Sequence, residues 1–391
     1  MPFPDGDHTG ARIKEQRRLA RLTQRELAAR LPYSYSLLNQ VECGARPATA
    51  DFVTAVARAL RIEAAVLTGS PSDHQMDRLG LLVRPIRHAL DMYDLGPVDG
   101  LTVRDAATLV TEADRVCQQV RATHLRRAAR TLPDLIVELT HTAATAPTTD
   151  VWRALASAYR TAADTALKLG YLDLSRLALD RMHWAAERAS DPCLAAIRQY
   201  KRALLSPDSG YDTGLRLIAI GHQLLAGETS REALAVAGQL HLGGAALAAR
   251  VTDATAVGHH IAEARTYASR VGGEAGEIHW LSFGQRNTDL HAFGAALVMR
   301  QWDNALSQAR AIALPASTLI SRKARFLIDR ARVEMETGHL DAALKHAATA
   351  RRVAPEQTRH YPGTRETISG LVHLSRRTPD TLGHMARWIG L

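Results

Sequence analysis

Polar and apolar positions alternate at helical spacing through the first seventy residues. In the stretch SYSLLNQVECG, residues 34–44, Ser34, Tyr35, Ser36, Asn39 and Gln40 fall on one side of a helical projection. Leu37, Leu38 and Val41 fall on the other. Upstream, GARIKEQRRLAR (10–21) reads as a basic amphipathic helix with Ile13 and Leu19 inward, leaving Arg12, Lys14, Arg18 and Arg21 free to face solvent or phosphate. Thr23 followed by Glu26 is a capping box, so a second helix starts at Gln24, with Leu27, Ala28 and Leu31 on its inner face. Pro32 and Tyr33 break that helix, Ser34 caps the next, and Gly44 supplies a left-handed stop. After Pro47, TADFVTAVARALRI predicts another amphipathic helix with Phe52, Val53, Val56 and Leu60 inward.

Beyond a polar, Gly/Pro-punctuated linker at LTGSPSD (67–73), the pattern becomes helix after helix to residue 391. Breaks at positions such as Gly170, Pro192, Gly227, Pro315, Gly338 and Pro355 recur every 15–25 residues, as antiparallel hairpins require. The stretch ALAVAGQLHLGGAALAARV (233–251) is the most apolar. Its Gln239, His241, paired glycines and terminal Arg250 make it a buried helix rather than a membrane span. The expected fold is all-α: a five-helix bundle over 1–70, a linker or connecting helix over 71–100, and an α-solenoid of helical hairpins over 101–391.

Composition sharpens this picture only in part. The chain has 391 residues, too many for one compact core, and 46% are hydrophobic with only 5% aromatic. Alanine and leucine dominate, which favours helix. The net charge of +9 permits a nucleic-acid partner. Residues 1–70, however, hold ten Lys/Arg against seven Asp/Glu, so the excess there is slight. Cys43, Cys117 and Cys193 are odd in number and far apart, which excludes a disulfide framework and any CxxC metal site. The first ten residues lack the charged and apolar regions of a signal peptide, so a cytoplasmic protein is expected, without membrane attachment. No nucleophile elbow, P-loop, dinucleotide fingerprint or zincin motif occurs, and the seventeen histidines form no ligand spacing. Neither an enzyme nor a cofactor is expected.

Two short helices joined by a tight turn, within a bundle of about five, meet the needs of a helix-turn-helix. The segment LTQRELAARLPYSYSLLNQVECGARP closely resembles the phage-repressor-like (XRE, Cro/C1-type) DNA-binding family. The matching features are T-Q-x-E-L-A, the Ser-led third helix, V-E-x-G and the later proline, over residues 10–67. The resemblance implies that Gln24 touches a backbone phosphate and that Tyr35, Ser36, Asn39 and Gln40 lie along base edges. Ser34 and Arg46 complete the DNA-binding set. It also implies an interior ion pair between Arg17 and Glu42. Pro32 stands where the family usually has glycine, so this turn must be built without a positive φ.

The unit ARFLIDRARVEMETGHLDAALKHAATARRVAP (324–355) resembles a tetratricopeptide repeat: Ala331 mid-helix, Gly338 and Leu340 at the turn, then Ala343, Ala347 and Ala350. Weaker copies lie at 300–311 and 167–179. In such arrays the first helix of each pair lines a concave face. That frame places Arg325, Ile328, Arg332, Asn287, Leu290 and Arg160 in the groove, suited to an extended anionic ligand or a peptide. The stretch HWLSFGQRNTDLH (279–291) resembles a segment of the helical sensor halves of actinomycete regulators, with Gln285 where those have proline. A ligand pocket is expected around Trp280, Phe283, Asn287 and His291; the alternative is an aromatic plug between repeats. The layout is similar to that of peptide-responsive quorum-sensing regulators of Gram-positive bacteria. It implies a transcription regulator that binds operator DNA as a homodimer and senses a signalling peptide or small molecule. The competing expectation is a protein-interaction adapter whose bundle does not read DNA.

Overall fold

The computed structural model describes residues 8–62, 64–68, 73–375 and 379–391. Residues 1–7 of the N-terminal segment and 69–72 of the expected linker lie outside the described residues. The head comprises α1 (Thr9–Leu19), α2 (Gln24–Ala28), α3 (Tyr35–Glu42), α4 (Ala50–Leu60) and α5 (Ala64–Thr68). Its helices begin where side-chain oxygens satisfy free N–H groups. Thr23, Ser34 and Thr49 accept from the amides of Glu26, Leu37 and Phe52 at 3.2, 3.2 and 3.3 Å. Ile13, Leu27, Leu38, Val41, Phe52, Val53, Val56 and Leu67 fill the core beneath them.

The remainder is helical hairpins, and the fold is all-α, with no strand among the described residues. In order these are α6 (Asp73–Asp91), α7 (Ala106–Arg121), α8 (Leu125–Thr145), α9 (Thr149–Lys168), α10 (Leu172–Ala189), α11 (Pro192–Leu204), α12 (Tyr211–Leu224), α13 (Arg231–Arg250), α14 (Ala254–Val271) and α15 (Gln285–Val298). Then follow α16 (Trp302–Ala311), α17 (Ile320–Glu336), α18 (Leu340–Val353), α19 (Pro355–His360), α20 (Pro362–Leu374) and α21 (Asp380–Ile389). The hairpin α17–α18 turns at Gly338, whose φ of +84° suits a residue without Cβ. Ala331, Ala343, Ala347 and Ala350 are fully buried in it, so small residues set the close approach of the two helices.

The odd-numbered helices α7, α9, α11, α13, α15 and α17 each pack on the next, and α17 returns to touch α7. The row closes on itself, with the even-numbered helices α8 to α18 outside it. The apolar α13 lies in this row with most of its residues buried, and no described helix is long and apolar enough to cross a membrane. Close packing explains its glycines: a Cβ on Gly238 would lie 2.0 Å from the Phe283 ring. The helix α6, in the stretch expected to connect the two units, buries Val83, Ile86 and Leu90 in the array's core.

The head is not detached. Its α1 packs on α20, and Leu19 joins the apolar cluster of the C-terminal helices rather than the head's core. Arg18 donates to the carbonyls of Val372 and His373, and Arg21 pairs with Asp380. Arg12, also expected to be free, donates to the Thr68 carbonyl at 3.0 Å within the head, and the expectation that Arg18 and Arg21 are free is likewise corrected. Their partners lie more than 350 residues away in sequence, and the local pattern carries no sign of them.

Half-buried histidines make the array sensitive to acid. His222, His241 and His260 from α12, α13 and α14 crowd together, with the Nδ1 atoms of His241 and His260 3.1 Å apart. Burial, then the neighbouring His222, His260 and His259, push His241 down to about 3. Burial and the cations Arg322 and Arg325 push His291 on α15 down to about 3. Both stay neutral in the folded chain at pH 5 while the unfolded chain protonates them, so stability falls as pH drops below about 6.5. We expect a loss on the order of 2 kcal/mol between pH 7 and pH 5, after discounting for solvent screening. Urea midpoints measured at both pH values should show it, and His241→Gln should lose visibly less. An identical pH dependence in that variant would refute the assignment.

Candidate functional site

The polar side of α3 is presented outward by an apolar underside. Leu38 and Val41 are buried in the head core, whereas Ser34, Tyr35, Ser36, Asn39, Gln40 and Arg46 are exposed. Tyr35, an aromatic residue, is 46% exposed, although its ring would favour burial. All six carry hydrogen-bonding side chains and stay exposed although α1 packs on α20.

What fixes α3 beneath that face is a buried ion pair. Arg17 on α1 reaches Glu42 with two parallel bonds, Nε to Oε1 at 2.7 Å and Nη2 to Oε2 at 2.9 Å. A third, from Nη1 to the Leu22 carbonyl at 2.8 Å, ties the start of α2 to the same guanidinium. Gln24 extends the bracket: its Nε2 donates to Glu42 at 2.7 Å and to Asn39 at 3.3 Å, and its Oε1 accepts from Tyr35 at 3.2 Å. In this arrangement Gln24 orients two residues of the exposed α3 face. A bond to a phosphate would require it to exchange one of these partners.

The turn carrying Pro32 is made without any left-handed residue: 29–33 contain no positive φ. Two short turns, Arg30 N–H to Leu27 O and Leu31 N–H to Ala28 O, reverse the chain instead. Tyr33 then packs its ring on Phe52 of α4, centroids 5.0 Å apart, and so anchors the turn. A left-handed residue does occur at Arg21, φ 59°, in the separate turn between α1 and α2. A second constraint is Gly10, where a Cβ would lie 1.7 Å from the Val41 carbonyl oxygen. Backbone cannot yield as a flexible side chain does, so Gly10→Ala should push α1 and α3 apart. We expect it to lower the melting temperature of the head, read by calorimetry, and to weaken its affinity for DNA at least tenfold, read by fluorescence anisotropy. Wild-type values for both would show that the approach is looser than drawn.

In the array the structure divides the expected ligand residues. Trp280 and Asn287 line a cavity of about 250 Å³ together with Leu290, Ser317, Thr318 and Arg322. Phe283 does not: it is fully buried and its ring lies against Gly238, the aromatic-plug alternative. His291 bonds to the backbone of Leu242, with its Nε2 buried and unpartnered. Arg160, 1% exposed, donates to the His279 carbonyl at 2.8 Å and to Cys117 Sγ at 3.2 Å. Arg325 pairs with Asp329 at 3.1 Å and lies over the Tyr361 ring, and Arg332 pairs with Glu366 at 2.7 Å. Ile328 is buried in the apolar packing between hairpins rather than lining a groove, because its helix turns that side toward α18 and α20.

The loop that forms one wall of this cavity is strained. His279, Trp280 and Ser282 have φ values of 45°, 52° and 62°, three left-handed non-glycine residues in four positions. Four elements hold it: Arg160 and Arg322 donate to its carbonyls, Glu232 pairs with His279 at 2.6 Å, and Asp114 accepts from the Trp280 indole at 2.6 Å. Sequence reasoning missed Arg121, Lys168, Lys201 and Arg322 beside it. The available signal was Asp164 and Lys168, four and eight residues after Arg160 and so on the same helical face.

Among the described residues one group has metal-ligand spacing, Asp191, Cys193 and Glu232. Arg153 already bridges its carboxylates at 2.6 and 3.1 Å and His279 takes Glu232, so the group reads as an ion-pair cluster.

No curated protein and no solved structure matches the chain. Over residues 8–68, which span α1 to α5, it matches the family described as a helix-turn-helix domain, which supports a DNA-binding regulator.

Proposed function

We propose that this protein is a sequence-specific DNA-binding transcription regulator whose helical array binds a signal, a peptide or small molecule, and so controls the geometry of a homodimer. The observation that carries the first part is the exposed polar face of α3, seated on the buried Arg17–Glu42 bracket. Asn39 and Gln40 can each form bidentate bonds with adenine in the major groove, and Ser36 accepts several partners. One such helix covers a half-site, so a two-fold pair of heads doubles the contact and favours a palindromic operator. The array would be the sensor of tetratricopeptide type, and a ligand acts only if it prefers one of the array's shapes over another. The contact of α1 with α20 supplies a route by which that shape reaches the head.

In vitro selection of genomic DNA fragments by the full-length protein, at near-physiological salt, tests this reading. Enrichment of one palindromic motif is the expected result. Uniform recovery of unrelated sequences would favour an adapter whose bundle does not read DNA.

A further inference from the structure

The closed row of odd-numbered helices turns inward a set of charges that its own residues leave unbalanced. On α9, Arg160, Asp164 and Lys168 share one face. Asp164 is bracketed by Arg121 from α7 and Lys201 from α11, each at 2.7 Å. Gln357 accepts from Lys168 and donates at 2.8 Å to the carbonyl of Ser321, which brings Lys168 to the start of α17. There Arg322 follows, and beyond it Arg325, whose side chain is 58% exposed and paired with Asp329. The carboxylates set against these six cations are Asp164 and Asp329, and Asp329 also accepts from Tyr361 at 2.9 Å. Arg121 and Lys201 keep only 13% and 15% of their side chains exposed, so solvent screens them weakly.

The lysines register this excess. Burial and the adjacent Arg121 push Lys168 down to about 7, and Lys201 falls to about 8 despite its bond to Asp164. Asp164 moves the other way: Lys201 and Arg121 outweigh its burial and hold its carboxyl far below the usual range. A second observation is independent of charge. The cavity of about 250 Å³ is lined by Arg322 and by Asn287, which is 3% exposed with its Oδ1 unpartnered; the cavity's two carboxylates, Glu277 and Glu274, already accept from Arg231 at 2.6 Å and from the Arg286 amide at 3.2 Å. From Asn287 a polar chain runs inward, Nδ2 to Gln239 at 3.4 Å and Gln239 to Tyr200 at 2.8 Å, ending beside Lys201. Arg322 belongs to both the cavity and the cation cluster.

We propose that this cavity binds a small molecule carrying two or more negative charges, with an anionic group on Arg322, the cluster's cation that lines it, its body against Trp280 and Asn287, and the charges of Lys168 and Lys201 behind Arg322. The proposal rests on the sensor reading above and names the chemistry of the signal. The cavity is smaller than ordinary ligand pockets of about 300–1,000 Å³, which excludes a long peptide as the occupant. Phosphoryl and carboxylate groups would both satisfy guanidinium and ammonium donors. The occupied site would reach the DNA head through α17, which packs on α20, which packs on α1.

Isothermal titration of the full-length protein at constant ionic strength, with inorganic pyrophosphate and separately with citrate, tests it. Saturable binding of either, tighter than millimolar, is expected. Pyrophosphate alone would point to a phosphate ester, citrate alone to a polycarboxylate. Arg322→Gln with Lys168→Gln should weaken binding at least tenfold, and Arg322→Lys should stay within about threefold of wild type, which separates loss of charge from loss of fold. A Ser36/Asn39/Gln40→Ala variant should bind the anion unchanged. No binding of either anion, or equal binding by the Arg322/Lys168 variant, would overturn the proposal. Anion binding that leaves DNA affinity unaltered would keep the site and remove its sensing role.

Discussion

Asn39→Ala combined with Gln40→Ala is expected to abolish discrimination between operator and random duplex while leaving weak, salt-sensitive binding. Both side chains are exposed on α3, and each can form two hydrogen bonds to one adenine edge. A bidentate pair contributes about 1–3 kcal/mol of discrimination, so losing two lowers the specificity ratio roughly thirtyfold to ten-thousandfold. Phosphate contacts elsewhere on the head are untouched, and the slope of log affinity against log salt should therefore stay near the wild-type value. The one internal bond lost is that from Gln24 to the Asn39 carbonyl oxygen, exposed and 3.3 Å long, so the fold should be unaffected. Anisotropy titrations with the selected operator and a scrambled duplex, at two salt concentrations, give both quantities. Retained operator preference in the double variant would place base reading on another surface.

Arg17→Ala is expected to unfold the head locally while the array remains folded. Glu42 is 1% exposed at its side chain, and removal of Arg17 strands its charge in a core formed by Ile13, Leu38 and Val41. Breaking a buried pair in this way costs about 3–5 kcal/mol, comparable to the whole stability of a small bundle. The Leu22 carbonyl loses its donor as well, and Glu42, to which Gln24 donates, loses its fixed position, so α2 and α3 both loosen. Hydrogen exchange resolves the two units: amides of α1 to α4 should lose protection, whereas those of α9 and α13 should not. Replacing both partners, Arg17→Met with Glu42→Leu, should recover much of the protection, because no unpaired charge remains. A single variant with wild-type exchange would mean that water reaches Glu42 and the pair contributes little.

The docking of the head on the C-terminal helices changes how the basic α1 is understood. Arg18 and Arg21 were legible as cations on an outward face, and an outward face at a helix-turn-helix implies phosphate. Their partners are two backbone carbonyls and Asp380, supplied by α20 and α21. Only the folding of the array into a closed row brings that end of the chain back to its start.

Much of this protein was readable in one dimension, and the reason is physical. Helical period, capping residues and breakers act within a few positions, so the five-helix head, the capping box at Thr23 and Glu26, and the split of α3 into a buried and a polar face all follow from local spacing. The repeated small residues of α17 and α18 likewise specify a hairpin before any partner is known. Interactions across tens or hundreds of residues leave no such trace. The sequence could not show that Phe283 fills the space left by Gly238 while its neighbours Trp280 and Asn287 line a cavity. Nor could it show that Arg121, Asp164, Lys201 and Arg322, drawn from four helices, share one interior. The local pattern decides which face of each helix is polar; only the closure of α17 onto α7 decides which of those faces meet.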